Sequence, residues 1–319
     1  MEQQENLSFW KKWWISIRPF SLPASTMPVI FGTVLAVVYG GATLDIGLFL
    51  FAFIGMVVLH GASNIYSDIH DYNRGLDKIP TPVSGGVVRG IISIREARRA
   101  SYLLFLIGAL IGFFLVAMSG MWLLVIGLIG LAIGFFYTSG KRGALKYNAL
   151  GDFAVFMDFG ILGSLGAWYV QTGQLSWIPV IWAIPMATLV IAILHANNWR
   201  DIKSDRNGRI LTIASLLGDQ KSLRYYGVLV YGPFFMVLGL ITIPYFLMPD
   251  TPAMPFTFLI TILALPLAIN IWKKAIDRKR PKNPMDFITL DGETAKLNLL
   301  FGSLCTVALL LDVLIQSLI

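Results

Sequence analysis

Residues 46–65 read IGLFLFAFIGMVVLHGASNI, and residues 66–71 continue YSDIHD. The first stretch holds no Asp, Glu, Lys or Arg, and about 20 apolar residues suffice for a helix to cross the hydrocarbon core of a bilayer. It is therefore a membrane span that ends in acids. Working outward, similar apolar runs lie near 20–39, 101–118, 121–138, 149–170, 177–197, 225–247, 255–272 and 297–318. With 46–65 they predict an all-α polytopic membrane protein of about nine transmembrane helices. Composition agrees: 56% of the 319 residues are hydrophobic and 13% charged, at a mean hydropathy of +0.71, where a soluble domain carries about 25% charge. No room is left for a sizeable soluble domain. The single cysteine, Cys305, excludes an intrachain disulfide or a CxxC metal site.

The net charge of +7 orders the loops and predicts no nucleic-acid partner. All 25 Lys and Arg fall before span one or after spans two, four, six and eight. The opposite loops are short turns such as Gly40-Gly41 and Ser119-Gly120, with the acids Asp45 and Asp250. By the positive-inside rule the N-terminus and every long loop are cytoplasmic, and an odd span count puts the C-terminus outside. Before the first span, Trp10-Lys11-Lys12-Trp13-Trp14 mixes cations with tryptophans, the composition of an interfacial helix. Pro23, Pro28 and a full-length span follow it where a secretory signal would show a cleavage site, so the segment is expected to be retained.

The long loops 66–100 and 198–224 open on matching signals. One reads Asn64-Ile65-Tyr66-Ser67-Asp68-Ile69-His70-Asp71, then Gly75-Leu76-Asp77-Lys78; the other reads Asn197-Asn198-Trp199-Arg200-Asp201-Ile202-Lys203-Ser204-Asp205-Arg206. If both spans stay helical past the membrane boundary, Asn64, Asp68 and Asp71 share one face, and so do Asn197, Asp201 and Asp205. Like charges so spaced repel, and a cation is expected between them. Asn and Asp also cap helices wherever these end in water, but two motifs of one pattern, each closing an even-numbered span, point to a site. The same spacing predicts two similar halves, about 1–148 and 149–296, plus a ninth helix at 297–318, all within a single domain of residues 1–319. Oxygen ligands without thiols or clustered histidines favour Mg²⁺. Mg²⁺ is held by a few carboxylates together with substrate phosphates, so the flanking cations imply a polyanion such as a diphosphate. The absence of a Walker loop or GxGxxG argues against a nucleotide.

On these residues the chain resembles the UbiA superfamily of intramembrane prenyltransferases over nearly its whole length, and most closely the branch acting on 1,4-dihydroxy-2-naphthoate. The resemblance is carried by Arg18-Pro19-Phe20-Ser21-Leu22-Pro23-Ala24-Ser25, both acidic motifs, Phe136-Tyr137-Thr138 through Leu150-Gly151-Asp152, and Gly166-Ala167-Trp168-Tyr169-Val170-Gln171-Thr172-Gly173. Ser67 and the spacing of Gly208 to Thr212 depart from it. The resemblance implies a nine-helix bundle around a central cavity open to lipid, in the plasma (inner) membrane, with a cytoplasmic cap from loops 2–3 and 6–7. It implies Mg²⁺ on Asn64, Asp68, Asp71, Asp201 and Asp205, bound to a polyprenyl diphosphate. On the substrate side it points to Asn197, Asn198, Arg200, Tyr137, Lys141, Arg18 and Lys78, with Lys141 on the diphosphate. The implied reaction transfers the prenyl group to an aromatic acceptor, and for dihydroxynaphthoate loss of CO₂ gives a demethylmenaquinone. Another quinone precursor such as 4-hydroxybenzoate, a lipid alcohol, haem, or cyclisation of the prenyl chain without an acceptor are the alternatives within the class.

Asp152, opening span five, either orients or deprotonates the acceptor's hydroxyl or simply stabilises the helix dipole. Asp158, two turns deeper, is expensive in hydrocarbon and is expected to face the cavity or a polar partner. His60 and His195 are expected to make packing hydrogen bonds, and Gly160, Gly163 and Gly166 to allow close helix contact. A cation transporter would place its acids near the midplane between broken helices, whereas four of these lie at one face among basic loops.

Overall fold

The computed structural model describes residues 7–75, 80–138, 143–247 and 252–318. A short helix α1 (Phe9–Ser16) precedes α2 (Pro23–Tyr39), α3 (Ile46–Asn73), α4 (Ile94–Ser119) and α5 (Met121–Thr138). The next span is α6 (Gly151–Val155), a widened π-helical turn at Phe156–Leu162, and α7 (Gly163–Thr172). Then come α8 (Ile178–Trp182), α9 (Ile184–Arg200), α10 (Ile202–Asn207), α11 (Ile213–Leu247), α12 (Leu265–Ile276), α13 (Met285–Ile288) and α14 (Leu290–Leu318). Among the described residues eight helical segments are long and apolar enough to cross a membrane, against the nine expected. The shortfall is the sixth span, which is broken at Ala183 into α8 and α9. Pro185 cannot donate to the carbonyl of Ile181, so the helix must start afresh there. The interrupted pair still covers the expected 177–197 stretch.

The centre is formed by α2, α9, α11 and α14. Phe31 and Leu35 pack with Met186, Leu189, Tyr226, Val230, Leu297 and Phe301, all buried in one apolar cluster. On the periphery α4 and α5 turn Leu103, Leu106, Leu110, Phe113, Trp122 and Phe135 outward, the apolar surface that lipid covers. Small residues let the inner helices approach closely: a Cβ on Gly32 would overlap the Ser164 carbonyl, and one on Gly160 would overlap Ala187. The predicted close packing therefore holds at Gly160, while Gly163 and Gly166 have room for ordinary contacts. Phe9, Trp10 and Trp14 on α1 are exposed, and Ser8 caps the helix through Lys11 N, in keeping with an interfacial helix. Within α11, Gly218 at φ 69° and ψ 174° breaks the helical run with a conformation that only glycine adopts without strain.

Candidate functional site

Because α3 runs on to Asn73, Asn64, Asp68 and Asp71 do lie along one helix. The second motif behaves differently. Its helix α9 ends at Arg200, Asp201 sits at the junction with φ −96° and ψ 8°, and Asp205 belongs to α10. The helix is interrupted at Asp201, yet Asp201 N still donates to Asn197 O at 3.2 Å and Asp205 N to Asp201 O at 2.9 Å, and all three side chains line one space. There the Arg200 guanidinium folds back on its neighbour, donating to Asp201 through Nε at 3.1 Å and Nη2 at 3.0 Å. Arg200 also donates through Nη1 to Asp291 Oδ2 at 3.1 Å and to the Ile288 carbonyl at 2.9 Å. Asn197 Nδ2 reaches the same Asp291 oxygen at 3.2 Å. The buried Asp291 of α14 thus fixes both Asn197 and Arg200.

The loop after α5 is joined to the loop after α10 by a short parallel bridge, Asn148 with Leu211, in which Ala149 N donates to Leu211 O at 2.6 Å and Leu211 N to Tyr147 O at 3.2 Å. This bridge carries Lys146 and Tyr147 onto the first motif. Lys146 Nζ lies 2.5 Å from Asp71 Oδ2 and 3.1 Å from Ser67 Oγ, and the Tyr147 hydroxyl donates to Asp71 Oδ1 at 3.0 Å. Asp71 is therefore paired with a lysine of the chain itself. Burial alone would push the Lys146 ammonium down, but the Asp71 carboxylate and the Tyr147 oxygen hold it above the ordinary lysine range. Burial and then the Asp71 charge push the Tyr147 hydroxyl up. Arg74 stacks over the Tyr147 ring at 4.0 Å.

These groups face a polar chamber of about 770 Å³. Asp71, Asp201 and Asp205 line it with Asn197, Asn198 and the cations Arg18, Arg74, Lys146, Arg200 and Lys203. The loops after α3 and after α10 both form its walls, through Thr81 to Gly85 and Gly208 to Thr212. Burial, and next the charge of Asp201, push the Asp205 carboxyl up to about 7, although Thr212 Oγ1 donates to it at 3.2 Å.

A second, mostly apolar cavity of about 140 Å³ lies deeper, between α2, α3, α5, α9 and the widened turn. Arg18, Lys146 and Asn197 line both spaces and so form the wall between them. Arg18 takes a left-handed φ of 54°, and its Nε is buried with no hydrogen-bond partner among the described residues. Asn64 Nδ2 donates to Ile17 O at 2.8 Å and Ser21 Oγ at 3.0 Å, and the residue lines the inner cavity but not the chamber. Tyr137 and Asp158 line the inner cavity, so Asp158 does face it. His60 meets Ser25 Oγ at 2.7 Å and Ser21 Oγ at 3.2 Å and stacks on Phe159, a packing role. The other histidine, His195, is buried and packs edge-on to Tyr225, with the Ser222 backbone as its polar neighbour.

Two residues are placed elsewhere. Asp68 is buried and accepts from Val87 N at 2.7 Å, and it lines neither cavity. Asp152 is buried against Tyr225, whose hydroxyl donates to it at 3.2 Å, and it too is absent from both walls. Lys78 and Lys141 lie outside the described residues. Sequence reasoning missed Lys146, Tyr147 and Asp291. A cation beside an aromatic in the short loop before Gly151-Asp152, and an acid opening the last span, were the signals available.

The profile described as the UbiA prenyltransferase family matches residues 25–311. The UbiA prenyltransferase domain-containing protein 1 of Xenopus tropicalis is 33% identical over 291 residues, covering 90% of this chain and 78% of that protein. The 1,4-dihydroxy-2-naphthoate octaprenyltransferase of Bacillus subtilis (strain 168) is 30% identical over 300 residues, covering 94% and 92%. Among solved structures, a UbiA homolog from Archaeoglobus fulgidus bound to GPP and Mg²⁺ superposes with a TM-score of 0.59 at 15% identity, covering 92% of this chain and 99% of that one. With a bundle of this fold, two acidic motifs meeting at one chamber and a profile spanning most of its length, the chain belongs to the UbiA prenyltransferase family and is a multi-pass membrane prenyltransferase.

Proposed function

We propose that the protein transfers a polyprenyl group from a polyprenyl diphosphate to 1,4-dihydroxy-2-naphthoate, with release of diphosphate and CO₂ to give a demethylmenaquinol, the hydroquinone form of a demethylmenaquinone. The observation that carries this reading is the pair of adjoining spaces, one acidic and cation-flanked, the other apolar, parted by Arg18, Lys146 and Asn197. A diphosphate suits the first and an aromatic ring the second. The name of the Bacillus subtilis relative specifies this acceptor, while that of the Xenopus tropicalis relative specifies none.

The donor set fits Mg²⁺. It offers carboxylate and amide oxygens without thiols, and a cation beside Asp205, whose carboxyl is raised by burial and then by the charge of Asp201, would favour its charged form. Among the described residues no three acids, histidines or cysteines close into a cage, which suits an ion completed by substrate phosphates. Asp71, Asp201 and Asp205, with Asn64 and Asn197, are the residues proposed to hold it, and Asp68 would join them by leaving Val87 N. Bound there, Mg²⁺ would offset the charge of the leaving diphosphate, so that the allylic C–O bond ionises. The chain's own part is positional and electrostatic. The unpartnered Arg18 Nε suits the acceptor's carboxylate, Lys146 stands where the two spaces meet, and Lys78 and Lys141 are proposed for the diphosphate as the family resemblance implies. The apolar walls of Phe20, Val155, Phe159 and Ile193 keep water from the carbocation. With the cations on the cytoplasmic side, both substrates would be met there.

A naphthoate carrying the label in its carboxyl carbon tests the reading. Incubated with the purified protein, Mg²⁺ and a long all-trans polyprenyl diphosphate, it should release labelled CO₂ in step with product. Retained label, or transfer only to 4-hydroxybenzoate or a glycerol phosphate, would remove the naphthoate assignment and leave the prenyltransferase standing.

A further inference from the structure

We propose that Asp158 is the acceptor-anchoring residue, taking a hydrogen bond from the ring hydroxyl that lies away from the acceptor's carboxylate. The proposal rests on the preceding reading of the acceptor. It starts from a residue that the diphosphate chemistry does not use. Asp158 lies in the membrane-crossing segment Gly151–Thr172, within the π-helical turn Phe156–Leu162. A carboxylate at such a depth is costly and is retained where it faces an interior cavity with a task, and single π turns recur at functional sites. Asp158 lines the inner cavity and has no place on the outer chamber. No described group donates a hydrogen bond to its side chain, and across the cavity wall its Oδ1 lies against the bare backbone of Gly130. It is a strong hydrogen-bond acceptor left open toward a ligand.

The polarity of the cavity then fixes which part of the acceptor it meets. Arg18 stands on the wall shared with the diphosphate chamber, with a buried Nε in want of an acceptor, and so suits a carboxylate. The carbon that bears the carboxylate is the one to be attacked, and it must lie toward the diphosphate. In a 1,4-dihydroxy-2-carboxylate the 1-hydroxyl is already bonded internally to the adjacent carboxylate. The 4-hydroxyl is free and points away from it, and that is the group left for Asp158. Phe159, the next residue, stacks on His60 and offers a flat apolar wall to the ring between the two polar contacts.

The test compares 1,4-dihydroxy-2-naphthoate with 1-hydroxy-2-naphthoate, which lacks only the anchored hydroxyl, on full-length wild type, Asp158→Asn and Asp158→Leu. Binding is read by calorimetry and turnover by kcat/KM. Losing a hydrogen bond to a charged group corresponds to roughly 10- to 100-fold, so Asp158→Leu should lose about that factor for the dihydroxy acid, with Asp158→Asn between it and wild type. None of the three should differ on the monohydroxy acid, and the KM for polyprenyl diphosphate should not move. Equal losses on both acids, as a structural role or poor folding would give, overturn the proposal, and so does a variant that binds the dihydroxy acid as wild type does. If the wild type binds no hydroxynaphthoate at all, the acceptor assignment fails and the Asp158 proposal falls with it. That outcome is distinct from binding which is indifferent to position 158.

Discussion

Replacing Lys146 by methionine removes one charge while keeping the length of the side chain, and the consequence can be worked from the geometry. At 2.5 Å two unit charges attract by about 7 kcal/mol at an effective dielectric constant of about 20. Both partners are largely shielded, at 18% and 10% side-chain exposure, so desolvation offsets much of that attraction. Breaking a buried pair by removing one member nevertheless costs about 3–5 kcal/mol, because the other charge stays buried. Asp71 retains the Tyr147 hydroxyl at 3.0 Å, which places Lys146→Met near the lower end, about 3 kcal/mol. Thermal unfolding of the purified protein should then begin roughly 5 °C or more below wild type. If Asp71 is also a ligand for Mg²⁺, saturating Mg²⁺ with inorganic diphosphate returns a cation to it. The gap should shrink to about half or less, since a ligand stabilises most the state that gains most from it. An unchanged unfolding temperature would show that the pair contributes nothing. A gap indifferent to Mg²⁺ and diphosphate would separate Asp71 from the metal.

Alanine at Asp68, Asp71, Asp201 or Asp205 should each lower prenyl transfer by on the order of 10- to 100-fold or more while the protein still inserts, read as product per purified enzyme; normal turnover in these variants, with activity surviving EDTA, would leave the acids as helix caps. Gly85→Ala puts a methyl onto the Asp68 carboxylate from the chamber wall and should cut activity, measured beside its unfolding temperature. Gly160→Ala forces the widened turn off Ala187 and should destabilise by about 1–3 kcal/mol, a loss that Ala187→Gly should restore only in part, because the added methyl still meets the Ala187 Cα at 2.8 Å. Cysteines at Ser119, Thr172 or Pro252 should react with an impermeant thiol reagent from outside intact cells, and those at Ser93 or Lys279 should not; the reverse pattern would move the chamber to the other face.

The membrane spans were legible because twenty uncharged positions in a row admit few other structures. The first acidic motif was legible because its helix simply continues. The second was legible in that Asn197, Asp201 and Asp205 line one space, but not in its interruption at Asp201, where a contact between adjacent side chains, Arg200 with Asp201, accompanies a turn that helical spacing does not register. The sixth span shows the same limit, since its apolar run is continuous but Pro185 interrupts the hydrogen bonding. The cation on Asp71 could not be read at all. Lys146 is one of many loop lysines in sequence, and only the Asn148–Leu211 bridge, a pairing of two distant loops, selects it. Asp158 was legible as costly and Asp152 as ambiguous, and the direction of each side chain decided between cavity and Tyr225.

Asp291 shows why the last helix belongs to the site. A division of the chain into two four-span halves leaves the final span over, as if it only closed the bundle. Yet α14 supplies the carboxylate on which Arg200 and Asn197 converge, at 2% side-chain exposure. Without Asp291 the Arg200 guanidinium would keep only Asp201 and the Ile288 carbonyl, and it would be free to swing further into the chamber it already lines and pair with Asp205 as well. A guanidinium in that position would compete with the very cation the acids are arranged to receive. By holding Arg200 on Asp201, α14 keeps Asp205 available and aims the Asn197 amide at the wall between the two spaces. Asp291→Asn, which keeps the shape and removes the charge, should therefore raise the Mg²⁺ concentration needed for half-maximal activity more than it lowers stability. An unchanged Mg²⁺ requirement, with a lower unfolding temperature, would reduce Asp291 to a packing contact.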